Sequence, residues 1–273
     1  MKLGIYAHQR SGSTTVYDCS LLPTHHYVRL NEVFTPHEYL TLELRDMKGN
    51  TGDKELWVNH HPNKIKNPPQ LREERAALLK ECADDGNSYF IKVFGTDLDT
   101  NSCKEAVEDY EFIAVERENT FETVMSGILA INFWYFHRSD GDPHWEHFVA
   151  QRSQFLFMRD AILSYYWHKP SLNIRKTITC EHLATISTCN ELNDLTGLVS
   201  KEYMQGLLSK GPEGAELAGE HFRTMLRQLN TDISDGLISY KDKANYIQNL
   251  EEVKFWYQTE LQPYLPKERQ GSL

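Results

Sequence analysis

The chain has 273 residues, of which 40% are apolar, 25% charged and 11% aromatic. This composition excludes a fully disordered, collagen-like or coiled-coil protein; the length suits a single domain, 1–273, while leaving two small domains open, and a chain this long can bury its core without disulfide or metal staples. Lys and Arg total 29 against 39 Asp and Glu, a formal net charge of −10, which argues against general nucleic-acid or anionic-membrane binding but leaves room for one local basic pocket.

The first apolar run, Leu3 to Ala7, reads as a buried strand, followed by a loop rich in Ser, Gly and Thr and a helix from Ser13 to Leu22. Residues 23–66 show no sustained period, and a compact domain rarely keeps such a stretch without a functional reason. A helix is expected over Gln70 to Cys82, a strand over Tyr89 to Phe94 interrupted by Lys92, a short helix around Glu105 to Glu108, and a strand over Phe112 to Val115. Phe121, Val124, Met125, Ile128 and Leu129 then form an apolar helical stripe, opened by Asn119 with Glu122 three residues later. Trp145 to Trp167 reads as another helix, Ile174 to Thr179 as a fourth strand, and 213–229 and 241–261 as amphipathic helices.

Strands alternating with helices predict an α/β fold with a mainly parallel central sheet and a helical C-terminal part. Such sheets bind ligands at the carboxyl ends of their strands. Cys19, Cys82, Cys103, Cys180 and Cys189 form no CxxC and are odd in number, which points to reduced thiols in a cytosolic protein. The opening MKLGIYAHQR lacks the apolar core of a signal peptide, and no run approaches the roughly 18 apolar residues of a membrane span.

The loop after the first strand is AHQRSGSTT, residues 7–15. Small residues let the backbone curl around one anion, and the following helix adds its positive end. Arg10 supplies a fixed cation, Ser11 and Gly12 the small-residue turn, and Ser13, Thr14 and Thr15 hydroxyl donors. The nucleotide P-loop G-x-x-x-x-G-K-[ST] is not matched, because the first glycine and the lysine are missing. A Ser/Thr-rich turn that only caps a helix is the alternative. After the third strand the chain reads FIAVERENTFETVMSGILA, residues 112–130. Arg117 leaves the strand end and Ser126 follows nine positions later, on the helix side shared with Glu122 and Thr123, so guanidinium and hydroxyl can converge on one anion.

Two anion loops in this order resemble the sulfotransferases that use 3′-phosphoadenosine 5′-phosphosulfate (PAPS), in their bacterial and phage-like branch. QRSGST, residues 9–14, is similar to the family's P-[RK]-[ST]-G-[ST]-[TS] loop, with Gln9 in place of proline. VERENTFETVMS resembles its arginine-then-serine motif. LNEVF, residues 30–34, resembles the segment that follows the first helix, with Asn31 where glycine is usual, and TITCEHL, residues 177–183, resembles the strand-then-Y-E-x-L element, with Cys180 for tyrosine. The resemblance spans residues 3 to about 185 and implies a P-loop-like three-layer fold.

The resemblance further implies that residues 10–15 hold the 5′-phosphosulfate of PAPS, that Arg10 neutralises charge building on the bridging oxygen and sulfuryl group, and that Arg117 and Ser126 bind the 3′-phosphate. The donor's sulfuryl group would pass in line to a hydroxyl or amine of a small-molecule or glycan acceptor, without a metal. Such a transfer depends on positioning and charge stabilisation. Glu32 lies where relatives place a catalytic glutamate and is the first candidate for general base, with His25 and His26 next. Lys92 is a candidate to reach the sulfuryl group; a lysine snorkelling from an edge strand is its alternative. Residues 23–66 and 134–170 are expected to shape the acceptor site or a lid.

PHWEH at 143–147 and the His60-His61 pair lack metal-site spacing. The aromatics of 134–157 suit either an acceptor pocket or the core. A nucleotide- or anion-binding protein of the same fold without transfer activity is the second reading, and a P-loop kinase the third. The expected setting is the cytoplasm of a bacterium, or a virus.

Overall fold

The computed structural model describes residues 2–13, 16, 27–30, 32–34, 72–83, 88–133, 146–183, 209–212 and 244–270. Among the described residues five strands form one sheet: β1 (Lys2–Ala7), β2 (Tyr27–Leu30), β3 (Ser88–Phe94), β4 (Glu111–Glu116) and β5 (Asn173–Thr179), in the order β2-β3-β1-β4-β5. Every pairing is parallel. Helices α1 (Arg72–Ala83), α2 (Asn101–Ala106), α3 (Thr120–Phe133), α4 (Arg152–His168), the short α5 (Cys180–Leu183) and α6 (Leu250–Glu260) complete the α/β architecture.

The central strands are largely apolar because a parallel sheet is covered on both faces. Leu3, Ile5, Tyr6 and Ala7 of β1 are buried, as are Phe112, Ile113, Ala114 and Val115 of β4. One core cluster gathers Tyr6, Phe34, Leu79, Tyr89, Val93, Phe112 and Tyr165. Tyr6 stacks on Tyr165 at 4.8 Å between ring centroids, and its hydroxyl donates to the Tyr165 carbonyl at 2.8 Å. A second cluster joins α3, α4 and α6 through Phe121, Val124, Ile128, Phe155, Ile162 and Trp256. The α3 residues in it are the stripe read from the sequence, each side chain contributing roughly 1.5–3 kcal/mol by leaving water. Asn119 starts α3 as expected: its Oδ1 accepts the Glu122 backbone N–H at 3.0 Å.

Three elements differ from the sequence expectation. β2 lies inside the stretch 23–66 that showed no period; four residues are too few for alternation to register. The helix expected from Trp145 begins only at Arg152, because Ala150 is held by Asn249 on both backbone groups, N–H to Oδ1 at 2.8 Å and carbonyl to Nδ2 at 3.1 Å, while Phe148 forms a bridge to Ile247. α2 starts at Asn101 and ends at Ala106, earlier than expected around Glu105 to Glu108. The segment 213–229 lies outside the described residues, whereas α6 falls within 241–261. Among the described residues no helix is long and apolar enough to cross a membrane.

Candidate anion site at the strand ends

The sheet register puts the ends of β1 and β4 side by side, with Ala7 opposite Val115. The loop leaving β1 turns tightly. Arg10 has φ 64° and Gly12 φ 83°, both in the left-handed region. A Cβ on Gly12 would lie 2.8 Å from Cys180 Sγ, so glycine is required there both for conformation and for space. The Val16 N–H donates to the Gly12 carbonyl at 3.2 Å, the first helical bond after the loop. Ser11 and Ser13 are buried, and Ser11 Oγ has no hydrogen-bond partner among the described residues.

Across from this loop stands the one leaving β4. Arg10 Nε donates to Ser126 Oγ at 3.3 Å, linking positions 116 residues apart. Glu116 is the last residue of β4 and Arg117 the first of the loop that follows, and the two side chains meet different partners. Glu116 meets α4, accepting from Tyr165 Oη and Lys169 Nζ at 3.0 Å each and from Arg269. Burial pushes its carboxyl up, but Lys169 and Arg269 outweigh that and hold it below the usual value. Arg117 is also buried; Glu122 Oε2 lies 3.7 Å from its Nη1, an ion pair beyond hydrogen-bond reach. Its Nε and Nη1 find no hydrogen-bond acceptor among the described residues. A buried guanidinium with idle N–H groups is costly unless an anion takes them.

The element after β5 closes the third side. Glu118 N–H donates to Glu181 Oε2 and Thr179 Oγ1 donates to Glu118 Oε1, each at 3.0 Å. Cys180 is a buried free thiol beside Gly12; burial pushes its pKa up, and the Arg117 charge opposes the shift. Thus Arg10, Ser11, Gly12, Ser13, Arg117 and Ser126 gather at adjoining strand ends. Thr14, Thr15, His25 and His26 lie outside the described residues.

Glu32 and Lys92 form a pair of their own. Lys92 sits in β3, an interior strand, and is fully buried, so it is not a snorkelling edge lysine. Its Nζ lies 2.8 Å from Glu32 Oε1. The segment carrying Glu32 is pinned by Val33: its N–H donates to the Lys92 carbonyl at 3.2 Å and its carbonyl accepts from Arg75 Nη1 at 3.4 Å. Glu32 has φ 46°. Among the described residues, Arg10 and Glu32 are the non-glycine residues with positive φ. Backbone strain of this kind costs about 1–3 kcal/mol and persists where the surroundings over-determine it.

His8, to which the sequence reading gave no role, is fully buried between the loops. Its only sequence signal is a polar residue directly after an apolar strand. A cavity of about 470 Å³ is lined by Glu116, Tyr166, Lys169 and Arg269 among others. Its two cations are committed to the Glu116 carboxylate, which makes the loops of Arg10 and Arg117 the better anion site.

No family model matches the chain, and no curated protein or solved structure matches it.

Proposed function

We propose that the chain transfers a sulfuryl group from PAPS to a hydroxyl or amine of a small-molecule or glycan acceptor, within a P-loop-like three-layer domain. The observation that carries this reading is the contact between Arg10 and Ser126, which joins the two loops that the resemblance assigns to opposite ends of the donor. The buried Nε and Nη1 of Arg117, which make no hydrogen bond among the described residues, support it, since a dianionic phosphate would accept from them. The strained backbone at Arg10 and Glu32 supports it too.

In the reaction the bond between the donor's sulfur and its bridging oxygen breaks, a bond from that sulfur to the acceptor forms, and adenosine 3′,5′-bisphosphate leaves. Arg10, with the loop of Ser11, Gly12, Ser13, Thr14 and Thr15, grips the phosphosulfate and stabilises the charge that grows on the bridging oxygen. Arg117 and Ser126 take the 3′-phosphate. Glu32 accepts the acceptor's proton, with His25 and His26 as the alternative bases, and Lys92 neutralises the sulfuryl oxygens. No metal is required in this scheme. We place such an enzyme in the cytoplasm of a bacterium or a virus-infected cell.

One observation favours the second reading, an anion-binding protein without transfer. Glu32 is ion-paired with the buried Lys92, so the carboxylate that would take the acceptor's proton is already engaged by another side chain. A magnesium-free thermal-shift series with adenosine 3′,5′-bisphosphate, AMP, ADP and ATP tests the donor site. Preference for the bisphosphate is expected, and its loss in Arg117→Ala/Ser126→Ala. A Glu32→Ala variant that binds the bisphosphate but transfers no sulfate separates enzyme from binder, and ATP binding only with magnesium would favour a kinase instead.

A further inference from the structure

We propose that His8 is a positioning residue that locks the two anion loops into one cradle through its two ring nitrogens. The Arg117 backbone N–H donates to His8 Nε2 at 3.4 Å. His8 Nδ1 lies 3.0 Å from the Gln9 carbonyl. Because Nε2 accepts, the neutral ring carries its proton on Nδ1 and donates it to Gln9. One side chain thus holds the residue before Arg10 and the backbone of Arg117, 109 positions away. The ring has no freedom to swing, since it is fully buried and meets Tyr165 edge-on at 5.1 Å.

Chemistry at the ring favours the neutral form. Glu116, Arg117 and Arg269 are the charged groups that act on it, Tyr165 packs against it, and burial dominates, holding the pKa down to about 4. An imidazolium could not accept from Arg117 and would add a second cation beside the guanidinium. A polar side chain with one donor and one acceptor on separate sides of its ring is what the gap demands; an aliphatic residue would fill the volume and leave both backbone groups without this partner.

This rests on the anion site proposed above, but its test does not depend on the donor's identity. Histidine nitrogen shifts in the wild-type protein at neutral pH should show an Nδ1–H neutral ring; an Nε2–H tautomer or an imidazolium would overturn the proposal. Substitutions then separate the two bonds by reach. His8→Gln places an acceptor near the position of Nε2, whereas His8→Asn reaches only as far as Nδ1. Hydrogen exchange at the Arg117 amide should stay protected in His8→Gln and rise at least tenfold in His8→Asn and His8→Phe. Affinity for adenosine 3′,5′-bisphosphate should follow the same order, within about threefold of wild type for Gln and at least tenfold weaker for Asn and Phe. Equal protection and equal affinity in all three variants would contradict the positioning role. Should wild type show no bisphosphate binding while Arg117 protection still follows this order, the donor assignment fails and the His8 link stands.

Discussion

Protonation of two buried groups should pull the stability of this fold in opposite directions as pH falls. His8 has a pKa of about 4 in the folded chain against an ordinary 6.5, so the unfolded chain takes the proton first. Its contribution is complete above pH 6.5 and is lost on the way down to about pH 4; between pH 7 and pH 5 the loss is about 2 kcal/mol. Asp97 runs the other way. It is buried under the end of β3, accepts the Phe94 N–H at 2.9 Å and lies 3.5 Å from Arg72 Nη2. Burial raises its pKa from 3.8 to about 6, despite the Phe94 bond and Arg72. The folded chain therefore takes this proton first, and stability rises by about 1 kcal/mol over the same interval. Wild type should lose less than about 1 kcal/mol between pH 7 and pH 5, the difference of the two. Asp97→Asn keeps an oxygen for Phe94 but removes the gain, so its loss should reach about 2 kcal/mol; His8→Gln removes the loss and should become more stable by about 1 kcal/mol. Urea unfolding midpoints of the three proteins at both pH values measure this. Parallel slopes in all three would refute the assignment of these groups as buried titrating sites.

Other substitutions test the site more locally. Gly12→Ala puts a Cβ on a left-handed residue against Cys180 and should cost at least about 1–2 kcal/mol in denaturant while weakening bisphosphate binding. Glu32→Ala leaves the buried Lys92 charge without its carboxylate and should cost about 3 kcal/mol, much of it recovered in Glu32→Ala/Lys92→Met, read by the same unfolding curves. Glu116 is held below its usual pKa, so its ion pairs contribute fully above pH 4.5 and are lost as pH falls through the folded value; Glu116→Gln should flatten the acid limb of the stability profile.

Much of this arrangement is legible in the amino-acid order, and the reasons differ by element. β1, β3 and β4 announce themselves because strands buried on both faces must be largely apolar, and β5, a mostly exposed edge strand, by the alternation of apolar and polar residues from Ile174 to Thr179. Asn119 and the stripe from Phe121 to Leu129 mark α3 by local rules that need no tertiary context. β2 escapes because Tyr27–Leu30 is short and its identity as a strand depends on pairing with Ser88 to Ile91. The false helical start at Trp145 has the same origin: the competing partner, Asn249, is about 100 positions away. In the site, Arg10 and Ser126 are visible as residue types, whereas their contact is a product of the strand order. Lys92 stands out as a charge in an apolar run, but its pairing with Glu32 could not be read from spacing. His8 carries no motif at all, and its two bonds follow from the register that sets Ala7 beside Val115.

We propose that guanidinium and amide groups from two crossovers of one parallel sheet grip a nucleotide bearing a 3′-phosphate. Calorimetric titration with adenosine 3′,5′-bisphosphate and with ADP, in the absence of magnesium, tests it most directly. The bisphosphate should bind at least tenfold tighter, a margin of about 1.4 kcal/mol that Arg117→Ala/Ser126→Ala abolishes. Equal affinity for the two nucleotides, or a preference that survives in the double variant, would contradict it.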